Sequence, residues 1–460
     1  MSVLWTASEI AQATGGTVHG DFEATGAAFD SREIGAGDLF IAMKGEATDG
    51  HKFVDKAFAA GAAGALVSEA IAHPHVLVGD TTKALGALGR ASRARSDAKI
   101  VGVTGSVGKT GTKEALYAAL ERSAPSRAHR SVKSYNNHTG VPLSLVRMPR
   151  ATKFGAFEMG MNHAGELAAL TRIVRPHVAI VTTIAPAHRE FFASEAEIAD
   201  AKAEIFEGLE PGGTAIIPYD NPHCDRLAAV ARMHAARVVT FGISEGADVH
   251  TSYVVRGPRG GSMVTAQLPG AQLSYTISQP GQHWVANSLA VLAAVQAVGG
   301  DLALAGLALA EMDGLKGRGE RHRIAVDGGE ALLIDESYNA NPASMAATLQ
   351  VLGEEKVTGR RIAVLGTMRE LGDGSGDFHA ALAGPLEAAH VDYAILVGDE
   401  MDKLAKALGG TVEIAHVADA AAALPLARAA IGPGDAMLIK GSNSIGLAAL
   451  VEALASGNDD

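Results

Sequence analysis

The β-branched run Ile100-Val101-Gly102-Val103 leads through Thr104 into Gly105-Ser106-Val107-Gly108-Lys109-Thr110, and a helical pattern follows. In Lys113–Leu120, residues Ala115, Leu116, Ala119 and Leu120 fall on one helical face. This is the strand, glycine loop and helix context of a phosphate loop. The glycines let backbone N–H groups turn inward, and the free N–H groups at the start of the helix attract anions. Lys109 can reach terminal phosphates, and the Thr110 hydroxyl can join a Mg²⁺ shell. Only two residues separate Gly105 from Gly108, so the loop is shorter than the standard pattern. The segment predicts binding of a nucleoside triphosphate and leaves kinase, GTPase and motor open. A motor would also need an apolar strand ending in a Walker-type acidic residue, and no convincing case is found.

Beyond the loop, apolar runs at 178–183, 215–217 and 238–241 alternate with helical patterns, which implies parallel strands with crossover helices. Residues 249–278 break the rule with three period-two runs between Gly/Pro turns, predicting a small antiparallel sheet. Four further apolar runs (331–334, 362–365, 394–397, 436–439) alternate with helices near 379–389, 402–408 and 419–430, after a Gly-rich hinge at 313–319. In the first 85 residues, short strands at 27–29, 38–42 and 65–67 and helices at 54–60 and near 82–95 make a small mixed unit. The expected fold class is α/β in three domains, as 460 residues exceed one ordinary core. These are a small mixed α/β N-terminal domain (1–85), a central P-loop-type parallel-sheet ATPase domain with the antiparallel insertion (86–313), and a C-terminal Rossmann-like α/β domain (314–460).

A formal net charge of −12 repels phosphate backbones, so nucleic acid is not an expected partner, though a locally positive pocket can still hold a small anion. The single cysteine, Cys224, excludes an internal disulfide and a Cys-based metal site. No basic n-region precedes an apolar run at the amino terminus, and no stretch of about 18 apolar residues occurs. The expectation is a cytoplasmic protein without a membrane span.

Three single residues stand out downstream. Glu158, in Phe157-Glu158-Met159-Gly160-Met161-Asn162, is a carboxylate that can coordinate Mg²⁺ or simply mark a solvated strand end. His188 follows strand 178–183 at its carboxyl end, where open α/β sheets place ligands. Lys202, in Ala201-Lys202-Ala203-Glu204-Ile205-Phe206, reads alone as surface charge.

Taken in order, the motifs resemble the Mur ligase family over nearly the whole chain. They are Thr104–Thr110, Asn136-Asn137-His138-Thr139-Gly140-Val141-Pro142, Glu158–Met161, Ala185-Pro186-Ala187-His188, Ala201–Phe206, Asn287-Ser288-Leu289-Ala290, Asp335-Glu336-Ser337-Tyr338-Asn339-Ala340-Asn341-Pro342 and Lys440-Gly441-Ser442. The resemblance implies an ATP-dependent ligase that forms an amide through an acyl phosphate. ATP would be held by Gly105, Ser106, Val107, Gly108, Lys109, Thr110, Gly111, Asn287 and Arg318, with Asp335 or Glu336 on the ribose. It also implies two Mg²⁺ ions, held by Thr110, Glu158 and His188 with a carbamylated Lys202. Lys109, Lys202, His188 and Glu158 would be the catalytic group. Ser31, Arg32, Lys44, Asp49 and His51 match the family's uridine-diphosphate site, and Asn137, Thr139, Tyr338, Asn339 and Asn341 other substrate contacts.

Within the family, the Ser-Tyr-Asn-Ala-Asn-Pro run favours the branch that joins D-alanyl-D-alanine to UDP-N-acetylmuramoyl-tripeptide. The branch adding the preceding amino acid carries an Asp-Asn-Pro-Arg-like motif, absent from Val397-Gly398-Asp399-Glu400-Met401. A non-catalytic nucleotide switch is the reading from another class, and joint retention of Lys109, Glu158, His188 and Lys202 speaks against it. The family implies a monomer. There are two departures: Gly111 stands where Thr is usual, and Trp284 where Asn is common.

Overall fold

The computed structural model describes residues 2–45, 48–186, 190–257 and 260–456. The chain is α/β throughout, as its alternating pattern predicts. At its centre lies a six-stranded, wholly parallel sheet. Its spatial order is Arg237–Phe241, Thr214–Pro218, Val178–Val181, Lys99–Thr104, Phe154–Glu158 and Ala128–Arg130. Strand Lys99–Thr104 therefore lies where the chain switches direction across the sheet, the position at which open α/β sheets leave a crevice. Helices cover both faces. Leu116 and Leu120 of helix Lys109–Ser123 pack with Leu289 and Leu292 of helix Gln282–Ala297 on one side. Leu167, Leu170, Ile198 and Phe206 close the other.

The predicted insertion is a three-stranded antiparallel sheet of His250–Arg256, Ser262–Leu268 and Ala271–Ile277. Its inward Val264, Ala266 and Tyr275 join the core under helix Gln282–Ala297, and the Tyr275 hydroxyl meets Ser288 Oγ at 2.6 Å.

The N-terminal five-stranded sheet runs Thr17–His19, His75–Leu77, Gly64–Val67, Asp38–Ile41, Gly26–Ala28, antiparallel only at the first pair. Its core of Trp5, Leu39 and Leu66 is completed by Leu143 and Val146, which belong to the much later helix Gly140–Val146. Trp5 Nε1 donates to the Val146 carbonyl at 3.0 Å, and the Arg95 guanidinium lies over the indole.

The C-terminal sheet also has six strands, in the order Glu320–Val326, Gly329–Glu336, Ala436–Lys440, Arg361–Gly366, Tyr393–Val397, Glu413–Val417. The first pair is antiparallel and the rest parallel. Strand Glu320–Val326 escapes the sequence reading because it is an edge strand whose Arg321, His322 and Arg323 interrupt any apolar run. The helix expected near 379–389 is instead two, Ser375–Ala380 and Ala383–Ala388. Pro385 explains the break, since its ring would clash with the carbonyl four residues back in a continuous helix. Among the described residues no helix is long and apolar enough to cross a membrane.

Candidate functional site

The carboxyl ends of the central and C-terminal parallel sheets open onto one cleft, with a cavity of about 300 Å³. The floor is the loop after strand Lys99–Thr104. Gly105 has φ 148°, and a Cβ there would run into the Thr182 side chain. Thr182 Oγ1 donates to the Val107 carbonyl at 2.5 Å, while Ser106 Oγ donates to the Ala185 carbonyl at 3.0 Å. The loop is thus pinned to the end of the neighbouring strand before any ligand arrives. Lys109 opens the helix and curls back to donate to the Gly105 carbonyl at 2.7 Å. Thr110 Oγ1 is buried with no hydrogen-bond partner among the described residues.

Across the cleft, Glu158 closes its strand at 1% exposure, so it is not a solvated strand end. Asn136 Nδ2 donates to Glu158 Oε1 at 2.8 Å, and Oε2 is left buried and unpartnered among the described residues. Lys202, on the last turn of helix Glu195–Ala203, is 1% exposed and lines the same cleft. Among the described residues its ammonium has no hydrogen bond and no ion pair. Burial, and then the charge of Lys109, push its pKa far below the ordinary lysine value. Surface charge is therefore ruled out for Lys202. His188 lies outside the described residues.

The last lobe supplies the facing wall. Arg318, in the segment joining the lobes, stacks over the Tyr338 ring at 4.3 Å and lines the cleft with Glu336, Asn339, Asn341 and Lys440. Lys440 Nζ donates to the Asn339 carbonyl at 2.8 Å and lies 3.5 Å from Glu336. Burial raises the pKa of Glu336 and lowers that of Lys440, each partly opposed by the other. The two adjacent carboxylates have different jobs. Asp335 accepts from Gly317 N at 2.8 Å and from Ser337 N and Oγ at 3.0 and 2.6 Å, so it fixes the joining segment. Glu336 faces the cleft. Asn341 caps helix Pro342–Gly353 through Ser344 N at 2.9 Å.

Helix Gln282–Ala297 lays His283, Trp284 and Asn287 along the loop. The spacing i, i+1, i+4 puts them on one face. A Cβ added to Gly111 would lie 2.9 Å from Trp284 Cη2. The two departures seen in sequence are therefore one contact: the indole fills the space over a glycine.

The remaining predicted residues lie apart from this cleft. Arg32 is exposed and forks onto Asp30 at 2.6–3.1 Å, which holds the Asp30 carboxyl down at about 2. Ser31 shares that turn. Lys44 pairs with Glu69 at 2.7 Å and approaches Asp49 at 4.0 Å. His51 Nε2 accepts Ser68 N–H at 2.9 Å, which leaves Nδ1 to donate to Asp49 at 2.6 Å. Asn137 Oδ1 gathers Thr139 N, Thr139 Oγ1 and Gly140 N at the start of helix Gly140–Val146, and it borders a hollow with Met161 and Asn162. Sequence reasoning gave no role to Asn136, His283 or Lys440, which meet the cleft only through the fold. Asn136 and Lys440 had a signal, each standing in a family motif.

The cleft holds Lys109, Arg318 and Lys440 against Glu158 and Glu336, with Lys202 beside them, a local cationic excess on an anionic protein. Pinned N–H groups and this excess suit a polyphosphate. The unpartnered oxygens of Thr110 and Glu158 suit a hard divalent cation, for which such ligands are the preferred donors.

Comparison with known proteins agrees with this chemistry. Residues 103–295 match the model of the Mur ligase middle domain, 317–443 that of the Mur ligase, glutamate ligase domain, and 23–122 that of the Mur ligase family, catalytic domain. The UDP-N-acetylmuramoyl-tripeptide–D-alanyl-D-alanine ligase of Escherichia coli K12 is 34% identical over 454 residues, covering 98% of each chain. Its Bacillus subtilis counterpart is 31% identical, again over 98% of both. Among solved structures, MurF from Acinetobacter baumannii superposes with a TM-score of 0.84 at 32% identity, covering 98% of this chain and 99% of its own. MurF from Thermotoga maritima in complex with ADP gives 0.76 at 25% identity, covering 94% and 97%.

Proposed function

The chain belongs to the Mur ligase family, and we propose that it uses ATP to join D-alanyl-D-alanine to a UDP-N-acetylmuramoyl-tripeptide. The products are the UDP-linked pentapeptide, ADP and phosphate, in the synthesis of peptidoglycan precursors. The observation that carries this reading is the meeting of Thr110 Oγ1, Glu158 Oε2 and buried Lys202, none with a partner among the described residues, in the cleft that also holds the phosphate loop. A protein that only bound nucleotide would need the loop alone.

A free carboxylate is a poor acyl donor, so the reaction needs a leaving group. The tripeptide's terminal carboxylate oxygen attacks the γ-phosphorus, and the bond from that phosphorus to the bridging oxygen of ADP breaks. The resulting acyl phosphate is attacked at carbon by the amine of D-alanyl-D-alanine. The tetrahedral adduct expels phosphate, and the amine nitrogen loses its proton. Lys109 and the loop N–H groups hold the phosphates in line, and Arg318 and Lys440 close on them from the opposite wall. Glu336 approaches the ribose, and Asn287, beside the loop, the base.

Glu158 and His188 would hold one Mg²⁺, with a carbamylated Lys202 supporting it, and Thr110 and the ATP phosphates would hold a second. Mg²⁺ screens the approach of one anion to another and stabilises charge on the transferring phosphoryl group. An ammonium at Lys202 would repel a cation. Its depressed pKa favours the neutral amine, the form that adds CO₂, and the carbamate so formed is an anion suited to the same place. In the N-terminal lobe, Ser31 and Arg32 offer a hydroxyl and a cation to the uridine diphosphate, with Lys44, Asp49 and His51 alongside. Tyr338, Asn339 and Asn341 on the cleft wall, and Asn137 and Thr139 beside the neighbouring hollow, would meet the peptide part of the substrates. The three units at 1–85, 86–313 and 314–460 would then take the uridine substrate, ATP and the dipeptide respectively.

Phosphate release should require UDP-N-acetylmuramoyl-tripeptide and D-alanyl-D-alanine together, and single amino acids should not replace the dipeptide. Release with a single amino acid but not with D-alanyl-D-alanine would overturn the choice of substrate.

A further inference from the structure

One short segment ties the phosphate loop's helix and the Glu158 carboxylate to the N-terminal lobe. Residues 131–136 cross between the phosphate-loop helix, the Glu158 carboxylate and the N-terminal lobe. From below, Lys113 holds them: fully buried, it donates to the Ser131 carbonyl at 2.9 Å and to the Lys133 carbonyl at 2.9 Å. In the middle they hold Glu158. Its backbone N–H donates to Ser131 Oγ at 3.0 Å, and Asn136 Nδ2 donates to its Oε1 at 2.8 Å. On the far side Lys133 Nζ forms an ion pair with Glu33, and the Tyr135 hydroxyl donates to the same carboxylate at 2.9 Å. Arg147 adds a third cationic or polar contact to Glu33 at 3.8 Å.

Two observations show that this arrangement is specified. Lys133 has φ 53°, a left-handed conformation that costs a non-glycine residue energy and persists only where surrounding contacts impose it. The contacts imposing it are the ones just named, at its own carbonyl and its own ammonium. Glu33 in turn closes the turn that carries Ser31 and Arg32, with its N–H donating to the Asp30 carbonyl at 3.0 Å.

We propose that Glu33 is a positioning residue: through Lys133, Tyr135 and Asn136 it sets the Glu158 carboxylate according to how the 30–33 turn is seated. The inference rests on the reading of Glu158 as a metal-holding carboxylate and of the 30–33 turn as part of the uridine-diphosphate site. The seat of the first substrate is thereby tied to the geometry of the metal site about which the acyl phosphate forms. Nothing in this relay touches reacting atoms.

The test is a calorimetric titration of Mn²⁺, in place of Mg²⁺, into full-length protein saturated with a non-hydrolysable ATP analogue. Two variants attack the relay differently. Glu33→Gln removes the charge at one end. Lys133→Gly removes the ammonium yet suits the left-handed backbone, leaving the carbonyl that Lys113 grips. Each should weaken Mn²⁺ binding about tenfold, and the double variant should be no weaker than either single one. Mn²⁺ affinity within twofold of the unaltered protein in either variant overturns the proposal, whatever the melting temperature does, because a contact that merely glues two lobes would change only the latter. Losses that add in the double variant overturn it as well. Failure of the unaltered protein to release phosphate would fall on the proposed reaction alone, since the Mn²⁺ titration uses neither acceptor nor dipeptide.

Discussion

The ATP-facing cleft and the polar turn of the N-terminal lobe proposed to take the uridine diphosphate keep their charges in opposite states. In the cleft, among the described residues, Lys202 is buried without a counter-ion, and oxygens of Thr110 and Glu158 lack partners. In the N-terminal lobe, Arg32 forks onto Asp30, Lys44 rests on Glu69, and His51 is held between Asp49 and Ser68. On the proposed reading, a ligand in the first region would satisfy groups that lack partners, whereas one in the second would trade existing pairs for new ones, so its net gain per contact would be smaller. Rate should accordingly depend steeply on the cleft and affinity gently on the turn.

The sharpest way to break that contrast is Lys202→Ala. Turnover should fall on the order of 10³-fold, the scale of losing one preorganised electrostatic group, and short carboxylates should restore part of it. Unchanged activity would remove the carbamate from the proposed mechanism. Next in size is Gly111→Ala, which forces a methyl into the Trp284 indole. Overpacking of about 1–3 kcal/mol should weaken ATP binding roughly tenfold, and Trp284→Ala in the same chain should recover most of it. If the double variant is no better than the single, the contact does not position the loop. Arg32→Ala should raise KM for the uridine substrate only about three- to tenfold with kcat unchanged, because the lost contact already had Asp30 as a competitor. A loss in kcat as large as that for Lys202 would erase the distinction between the regions.

Mild acid separates the regions by stability. Burial lowers His129 and His177 in the central lobe to about 4, and His177 Nδ1 also accepts the Ile100 N–H at 3.1 Å. Between about 6.5 and 4 the unfolded chain binds protons there that the folded chain refuses, so stability falls as pH drops through that window. Asp30 behaves otherwise. Its carboxyl is held at about 2, so its contribution stays intact above the ordinary aspartate value and is lost only as pH falls toward 2. Melting curves from pH 7 to 4 should lose a few degrees, and His177→Gln should flatten the loss while Asp30→Asn leaves its slope alone.

Local order was legible in sequence wherever its cause was local. The phosphate loop needs only a strand, glycines and a helix start in succession, and residues 99–123 contain all three. Buried parallel strands announce themselves as apolar runs, whereas the edge strands Ala128–Arg130 and Glu320–Val326 do not. The choice between Asp335 and Glu336 could not be made from neighbours in sequence, because alternation across a strand places them on opposite faces and only the fold says which face meets the cleft. Lys202 looked like surface charge for the same reason. Its burial depends on helices and strands far away in the chain, and Asn136, His283 and Lys440 reach the cleft only by tertiary convergence.

The helix Gly140–Val146 has a bearing on how the protein is made. Leu143 and Val146 complete the apolar core of the N-terminal sheet, and Trp5 is bonded to Val146. As the chain leaves the ribosome, that sheet therefore waits with one flank open until residues beyond the phosphate loop have emerged. Its apolar core can be complete only in a joint unit of the amino-terminal lobe and the leading part of the ATP-facing lobe.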